Sequence, residues 1–142
     1  MLIGHYISSI TPKRRTALPS KFRKIIGTRI IVTRWYEGCL VIVGESNFKI
    51  IIDKLVGERD VITRPIRDTE RFILGSAYEV ETDNQGRFVV PQVLAEFAQL
   101  GKKIVFVGIN DRIEVWDQKT WVESQSQIIS SSSANIEKIA KI

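Results

Sequence analysis

The predicted fold of this chain depends on the stretch Thr82-Asp83-Asn84-Gln85-Gly86-Arg87-Phe88-Val89-Val90-Pro91. An earlier stretch resembles it, namely Thr11-Pro12-Lys13-Arg14-Arg15-Thr16-Ala17-Leu18-Pro19. In both, an arginine at the end of a turn precedes three residues suited to a strand and a proline suited to the start of a helix. Arg15 aligns with Arg87 and Pro19 with Pro91, each 72 residues apart. We therefore interpret the chain as two tandem copies of a half-domain.

Each copy is predicted to run strand, turn, strand, helix, strand, strand. In the first copy, strands over 3–10 and 15–18 form a hairpin whose tip is Pro12-Lys13-Arg14, and a helix after Pro19 ends at Gly27. Its last strands cover 29–33 and 39–43. In the second copy, a strand over 77–82 leads into a type I turn with a left-handed Gly86. A helix over 91–100 with Gly101 as its cap follows, then strands over 104–108 and 113–116.

Helical periodicity predicts three further helices, over residues 46–55, 68–74 and 119–129. Ser46 or Asn47 is the expected N-cap of the first. Gly57 and Pro65 are expected to break the chain between the first and the second. The serine run 130–133 is expected to lack order, so residues 134–142 are interpreted as a frayed tail, with a short appended helix as the alternative.

Neither half-domain could bury its apolar face or its strand edges alone. Two in one chain can cover each other, which predicts a mixed α/β, mainly β fold: a pseudo-twofold β-barrel with peripheral helices. The expected divisions are a first repeat over 3–48, a helical connector over 49–75, a second repeat over 76–119, and a C-terminal helix with a Ser-rich tail over 120–142.

Composition narrows the class of protein. A hydrophobic content of 44% with 26% charged residues is ordinary for a globular domain. No apolar run approaches the roughly 18 residues of a membrane helix, and the start lacks the features of a signal peptide, so we expect a cytoplasmic protein. Cys39, the only cysteine, lies in an apolar strand and is expected to be buried and inert.

Basic charge is concentrated near the start of the chain. Residues 1–36 carry eight Lys and Arg and no Asp or Glu, whereas the remainder carries thirteen basic against sixteen acidic residues. The net charge of +5 is therefore +8 in the first segment and −3 elsewhere. Arginine forks match phosphate oxygens, and a two-stranded ribbon can enter the major groove of DNA. A solvated charged loop is the simpler alternative, but two equivalent loops favour a nucleic-acid interface.

Several motifs now give a specific resemblance. Asp83 and Arg87 form an Asp-x-x-x-Arg motif that is followed by a strand and a proline. The others are Gly4, Pro19-Ser20-Lys21-Phe22-Arg23, Thr33-Arg34 before Gly38-Cys39-Leu40, Gly75-Ser76-Ala77 and Asp111-Arg112-Ile113-Glu114-Val115-Trp116. Over about Gly4 to Trp121, the sequence resembles the MraZ family of bacterial transcriptional regulators, which have two tandem SpoVT–AbrB type units.

The resemblance implies a double-split β-barrel that assembles into a ring of many subunits. It also implies sequence-specific binding to repeated boxes in the promoter of the division and cell-wall gene cluster, in the cytoplasm at the nucleoid. No cofactor, membrane or small-molecule substrate is expected. The DNA-binding residues carried over are Lys13, Arg14, Arg15, Asn84 and Arg87, and the residues expected to shape the loops are Thr11, Pro12, Asp83 and Gly86.

The first loop departs from the family pattern. Thr11 replaces the motif Asp, and Arg14 replaces a residue that is usually Gly or Asn. Asp83 can both cap its loop and pair with Arg87, whereas Thr11 can only cap, so Arg15 should be less neutralised. If Arg14 sits at positive φ, it costs on the order of 1 kcal/mol.

Other classes of function remain open. An oligomeric protein-interaction or antitoxin-like module is the main alternative. An RNA-binding barrel is less favoured, because Phe22, Phe97, Phe106 and Trp116 occupy expected core positions and so offer no stacking platform. An enzyme is the least favoured, because His5 is the only histidine and the sequence has no glycine-rich phosphate loop or nucleophile elbow.

Overall fold

The structure, a computed structural model, describes residues 1–57 and 63–141. Its strands are β1 (Leu2–Ser9), β2 (Arg15–Ala17), β3 (Arg29–Arg34), β4 (Leu40–Gly44), β5 (Tyr78–Glu81), β6 (Arg87–Val89), β7 (Lys103–Asn110) and β8 (Arg112–Asp117). Its α-helices are α1 (Ser20–Ile26), α2 (Glu45–Leu55), α3 (Arg64–Ile73), α4 (Gln92–Phe97) and α5 (Gln118–Ala140). The order of elements agrees with the sequence prediction.

Six strands form one antiparallel sheet in the order β1-β7-β8-β4-β3-β5, and β2 pairs with β6 in a separate two-stranded ribbon. The order is symmetric, since β1 pairs with β7 as β5 pairs with β3, and β8 and β4 meet at the centre. The mixed α/β, mainly β class is therefore confirmed. Among the described strands, the edges β1 and β5 do not pair, so the sheet is not a closed barrel.

The predicted hairpin between the first two strands is wrong. β2 pairs with β6, with Thr16 opposite Phe88, and β1 pairs along its whole length with β7. The first loop still closes on itself, because the Thr11 N–H donates to the carbonyl of Arg15 at 3.0 Å. Past that bond, pairing between the two halves of the chain buries both Thr16 and Phe88. Long-range burial therefore overrides the local hairpin preference.

The core has two layers, one on each face of the six-stranded sheet. Alternation along β7 shows the division, since Phe106 faces the first layer and Val105 the second. The first layer lies between the sheet, the β2–β6 ribbon, α1 and α4, and includes Phe22 and Leu94. The second layer is covered by α2, α3 and the start of α5. The ribbon and its loops are thus held on one face of the sheet.

Two motifs distant in sequence meet where α3 contacts β3. Arg34 Nε donates to the Phe72 carbonyl and to Ser76 Oγ, each at 2.9 Å. The guanidinium also lies 4.7 Å from the centre of the Phe72 ring. These contacts anchor α3 and the segment that follows it to β3, so Arg34 has a structural role here.

The helix boundaries correct three expectations. The N-cap of α2 is Gly44, without a side-chain cap, so neither Ser46 nor Asn47 has that role. Pro65 lies in the first turn of α3, where the missing N–H costs nothing, so it opens a helix where a break was expected. α4 ends at Phe97 with Ala98 as its C-cap and Gln99 at φ 52, so the cap predicted at Gly101 is wrong. Residues 58–62, part of the expected break between the two helices, lie outside the described residues.

The serine-rich segment also differs from the expected tail. α5 is 23 residues long and continues through this segment. Asp117 caps the start of the helix, where its carboxylate accepts from the Lys119 N–H at 3.2 Å. Ser130 Oγ and Ser132 Oγ donate to helix carbonyls at 2.9 and 2.8 Å, which satisfies the hydroxyls within the helix. Among the helices in the described ranges, α5 included, none is long and apolar enough to cross a membrane.

Candidate nucleic-acid interface

The first loop, residues 11–15, is a tight turn held by Thr11. The Thr11 carbonyl accepts from the Arg14 N–H at 2.8 Å, and Thr11 Oγ1 accepts from the Arg15 N–H at 3.0 Å. Arg14 adopts φ 65, the left-handed conformation that the sequence comparison with Gly86 anticipated. Thr11 therefore caps the loop as expected. The exposed Pro12 and Lys13 form its tip.

The second loop, residues 83–87, has the same backbone pattern. The Asp83 carbonyl accepts from the Gly86 N–H at 2.9 Å, and the Asp83 N–H donates to the Arg87 carbonyl at 3.1 Å. Asp83 Oδ1 also accepts from the N–H groups of Gln85 and Arg87, each at 2.9 Å. Gly86 has φ 76, which confirms the predicted left-handed glycine. Asn84 is exposed at the tip.

The two arginines that end the loops differ in their electrostatic partners. Arg87 Nε donates to Asp83 Oδ2 at 2.6 Å. The Arg87 backbone N–H, followed by its guanidinium, holds the pKa of Asp83 below its ordinary value. No carboxylate of the described residues lies within 4 Å of the Arg15 guanidinium. The expectation that Arg15 is less neutralised than Arg87 is therefore confirmed.

Both arginines project from the same surface of the β2–β6 ribbon. Arg15 pairs with Val89, and Ala17 pairs with Arg87. Thr16 and Phe88, the central pair, are buried, so the alternating residues Arg15 and Arg87 share the opposite, exposed face. Two residue steps along the strand and one strand spacing across place their Cα atoms roughly 8 Å apart. The ribbon thus presents two guanidinium groups side by side to solvent.

Arg14 is less available than its neighbours. Its Nε donates to the Val90 carbonyl at 2.9 Å, and its own carbonyl accepts from the Val90 N–H at 2.8 Å. The equivalent backbone bond at the other end of the ribbon joins the Leu18 N–H to the Gly86 carbonyl at 2.9 Å. The Arg14 side chain therefore fastens the first loop to the end of β6, a role that the sequence did not indicate.

Arg23 is a basic residue of this surface that the site prediction missed. A Cβ on Gly86 would overlap Arg23 Cδ, so the Arg23 side chain runs directly over the second loop. Arg23 belongs to α1, which brings charge from the first half of the chain to the second loop. The sequence shows that eight basic residues, Arg23 among them, cluster before residue 37, but it does not show that Arg23 contacts the second loop.

Other reactive side chains lie away from this surface. Cys39 is buried as predicted, and burial raises the pKa of its thiol. Burial also raises the pKa of Glu114, although the Trp116 indole donates to it at 3.0 Å. His5 lies against the Trp121 ring, with the ring centres 5.8 Å apart. Within residues 1–57 and 63–141, no group of three or more His, Cys, Asp or Glu side chains could hold a metal ion.

Comparison with known proteins is consistent with these motifs. Residues 73–141 match the family model described as "MraZ protein, putative antitoxin-like". A relative from Clostridium acetobutylicum named Transcriptional regulator MraZ is 37% identical over 123 residues, which is 87% of this chain and 86% of that protein. A relative of the same name from Caldanaerobacter subterraneus subsp. tengcongensis is 33% identical over 141 residues, 99% of this chain and 95% of that protein. Since similarity extends over nearly the whole length of both proteins, this chain belongs to the MraZ family.

Proposed function

We propose that this protein is a DNA-binding transcriptional regulator whose loops contact the phosphate backbone of double-stranded DNA. Lys13, Arg15 and Arg87 bind phosphate oxygens, and Asn84 at the second tip reaches a base edge or a phosphate. Arg23 adds positive charge beside the second loop. The target is a set of repeated boxes in the promoter of the division and cell-wall gene cluster.

The observation that carries this proposal is the common exposed face of Arg15 and Arg87 on the β2–β6 ribbon. A ribbon of two strands fits the major groove, where guanidinium groups at both ends can meet phosphates or guanine edges. The MraZ relatives named as transcriptional regulators support the same reading. Thr11, Pro12, Asp83 and Gly86 hold the two loops in shape without contacting DNA.

Assembly is the second part of the proposal. We infer that the two halves arose by internal duplication and form a double-split β-barrel, supported by the matched hydrogen bonds of the two loops and the symmetric strand order. Several copies join in a ring, so that weak loops engage spaced boxes together and gain affinity through effective concentration. The four divisions at 3–48, 49–75, 76–119 and 120–142 are the units of this arrangement.

The test is binding to the DNA immediately upstream of the protein's own gene, measured by fluorescence anisotropy across a salt series. If about six phosphates are neutralised, a plot of log affinity against log salt has a slope near −5. Light scattering on the same samples gives the mass of the complex and so shows whether an oligomer binds the DNA. Binding that is independent of salt, or equal for scrambled DNA, would refute sequence-specific recognition through these loops.

An antitoxin-like protein-interaction module is the second candidate, and the description of the matching family model favours it. In that case a protein partner binds and the loops are incidental. Pull-down with a candidate partner, together with DNA binding, separates the two functions. If Arg15→Ala with Arg87→Ala abolishes DNA binding but leaves a protein complex intact, both activities exist. A protein complex that forms with the wild type and with this variant, while neither binds the DNA, favours the module.

A further inference from the structure

α5 carries an apolar face that is not covered within the described residues. At 3.6 residues per turn, its Trp, Val and Ile side chains fall within an arc of about 120°. Those exposed are Val122, Ile128, Ile129, Ile136 and Ile139, each with between 51% and 69% of its surface accessible. The charged residues Lys119, Glu123, Glu137 and Lys138 lie outside that arc. An amphipathic helix of this kind normally buries its apolar face against other protein.

Only the start of α5 contacts the sheet of its own chain. Trp121 lies on the same arc, and its ring centre is 5.6 Å from that of Trp116 and 5.8 Å from that of His5. The later turns contribute no residue to either core layer. The face that covers the sheet at Trp121 thus continues, exposed, for about five more turns.

β1 carries a second uncovered apolar surface, which we call the β1 strip and which consists of Ile3 and Ile7, on either side of His5. Their side chains are 65% and 58% accessible. They lie opposite Ile109 and Val105 on β7, and thus on the face of the sheet that holds the second core layer. In the first half of the chain, α2 and α3 cover this layer with Ile51 and Ile73. Among the described helices, α5 of the same chain lies against His5 through Trp121, but Ile3 and Ile7 stay exposed.

We propose that the apolar face of α5 in one copy of the chain covers the β1 strip of a neighbouring copy. The contact would reproduce, between subunits, the helix-on-sheet packing that α2 makes within one subunit. Neither surface carries an Asp, Glu, Lys or Arg: the polar residues are Gln118, Gln125 and Ser132 within the arc and His5 beside the strip. Because a helix face meets a different surface, the contact is heterologous and can propagate around a ring. The inference rests on the proposed self-association.

Pairing of α5 with the same helix of another copy is less well supported. In a heptad seam, Val122, Ile129 and Ile136 would alternate with Gln125, Ser132 and Ile139. Two of the second set are polar, and no acid–base pairs flank the seam, so a stable coiled coil is not favoured. Such pairing would also leave the β1 strip exposed. A second copy contacting through both surfaces accounts for the two exposed patches together.

Complementation between two variants tests the inference. The helix variant is Ile129→Ser with Ile136→Ser, and the strand variant is Ile3→Thr with Ile7→Thr, which keeps β-branched residues in the strand. The matched control, Glu123→Ser with Glu137→Ser, changes the opposite side of the same helix. Mass is measured by light scattering over a concentration series, and circular dichroism checks the fold.

Each variant alone should raise the concentration needed for assembly by roughly tenfold or more, because two central apolar contacts are lost. The control should assemble like the wild type. Mixed in equal amounts, the two variants retain one intact contact between them, an unmodified helix on an unmodified strip. They should therefore form a complex of two 16.2-kDa chains that neither forms alone.

The alternatives give different results. A strand variant that assembles normally while the helix variant does not would overturn the inference in favour of helix–helix pairing. Normal assembly of both variants, or a monomeric wild type, would overturn it as well. Lys13→Ala with Arg15→Ala separates the two proposals, since it should lower DNA affinity without changing mass. DNA binding by a monomer would thus leave the regulator function standing while removing the inferred contact.

Discussion

The two loops should contribute unequally to DNA binding, and single substitutions can measure the difference. Arg87 donates to Asp83 at 2.6 Å, whereas no carboxylate of the described residues lies within 4 Å of the Arg15 guanidinium. A phosphate must compete with Asp83 for Arg87 but meets Arg15 without a competitor. Arg15→Ala should therefore weaken binding more than Arg87→Ala, and Asp83→Asn should strengthen it by releasing Arg87.

The magnitude follows from counterion release. Each phosphate neutralised on B-DNA adds about 0.9 to the steepness of the salt dependence, so one contact makes affinity fall roughly 3.5-fold more over a fourfold rise in salt. For six contacts the fall is roughly 1,800-fold, and for five it is roughly 500-fold. Arg15→Ala should make this fall about 3.5-fold smaller for each copy of the chain that contacts the DNA. Arg87→Ala should produce a smaller one, because its charge is already offset by Asp83.

The assay is fluorescence anisotropy with the upstream DNA at four or more salt concentrations, on variants whose mass is checked by light scattering. Lys24→Ala, which removes an exposed cation outside both loops, is the control for net charge. Equal changes in slope for Arg15→Ala and Arg87→Ala would refute the reasoning. So would an Asp83→Asn variant that binds no more tightly than the wild type at low salt.

Three further outcomes are expected. Glu37→Gly should raise the free energy of unfolding by about 1 kcal/mol and Tm by about 3 °C, because Glu37 is exposed and adopts the left-handed φ of 59, which favours glycine. Gln99→Gly, at φ 52, should have the same effect, and thermal melts measure both. Phe106→Ala should cost about 3–5 kcal/mol in urea unfolding, since Phe106 is fully buried, whereas Val93→Ala on the surface should change it by less than about 0.5 kcal/mol. Glu114→Gln should gain stability relative to the wild type as pH rises above 4.5, the ordinary pKa of a glutamate: burial raises the pKa of Glu114, so its ionisation in the folded state costs stability, and glutamine does not ionise. If the variant is no more stable than the wild type at the higher pH, burial of ionised Glu114 does not destabilise the protein.

Much of the candidate site could be predicted from local sequence. Asp83 and Gly86 specify a turn by the hydrogen bonds and the φ angle that those residue types favour, and the structure has both. The family pattern, with Gly or Asn at the position of Arg14, raised the possibility of a positive φ there, and the structure has φ 65. The bond of Arg14 to the Val90 carbonyl and the position of Arg23 over Gly86 could not be predicted, because each joins residues far apart in the chain.

The sequence by itself determined the local chemistry: which residues turn, which strands alternate, and where basic charge accumulates. These properties depend on neighbours within a few residues, so they can be predicted from the sequence. The tertiary structure alone decided that β2 pairs with β6 and β1 with β7, because pairing partners are selected by burial across the whole chain. It also decided that α5 continues through the serine run, where intrinsic propensity is only a weak guide.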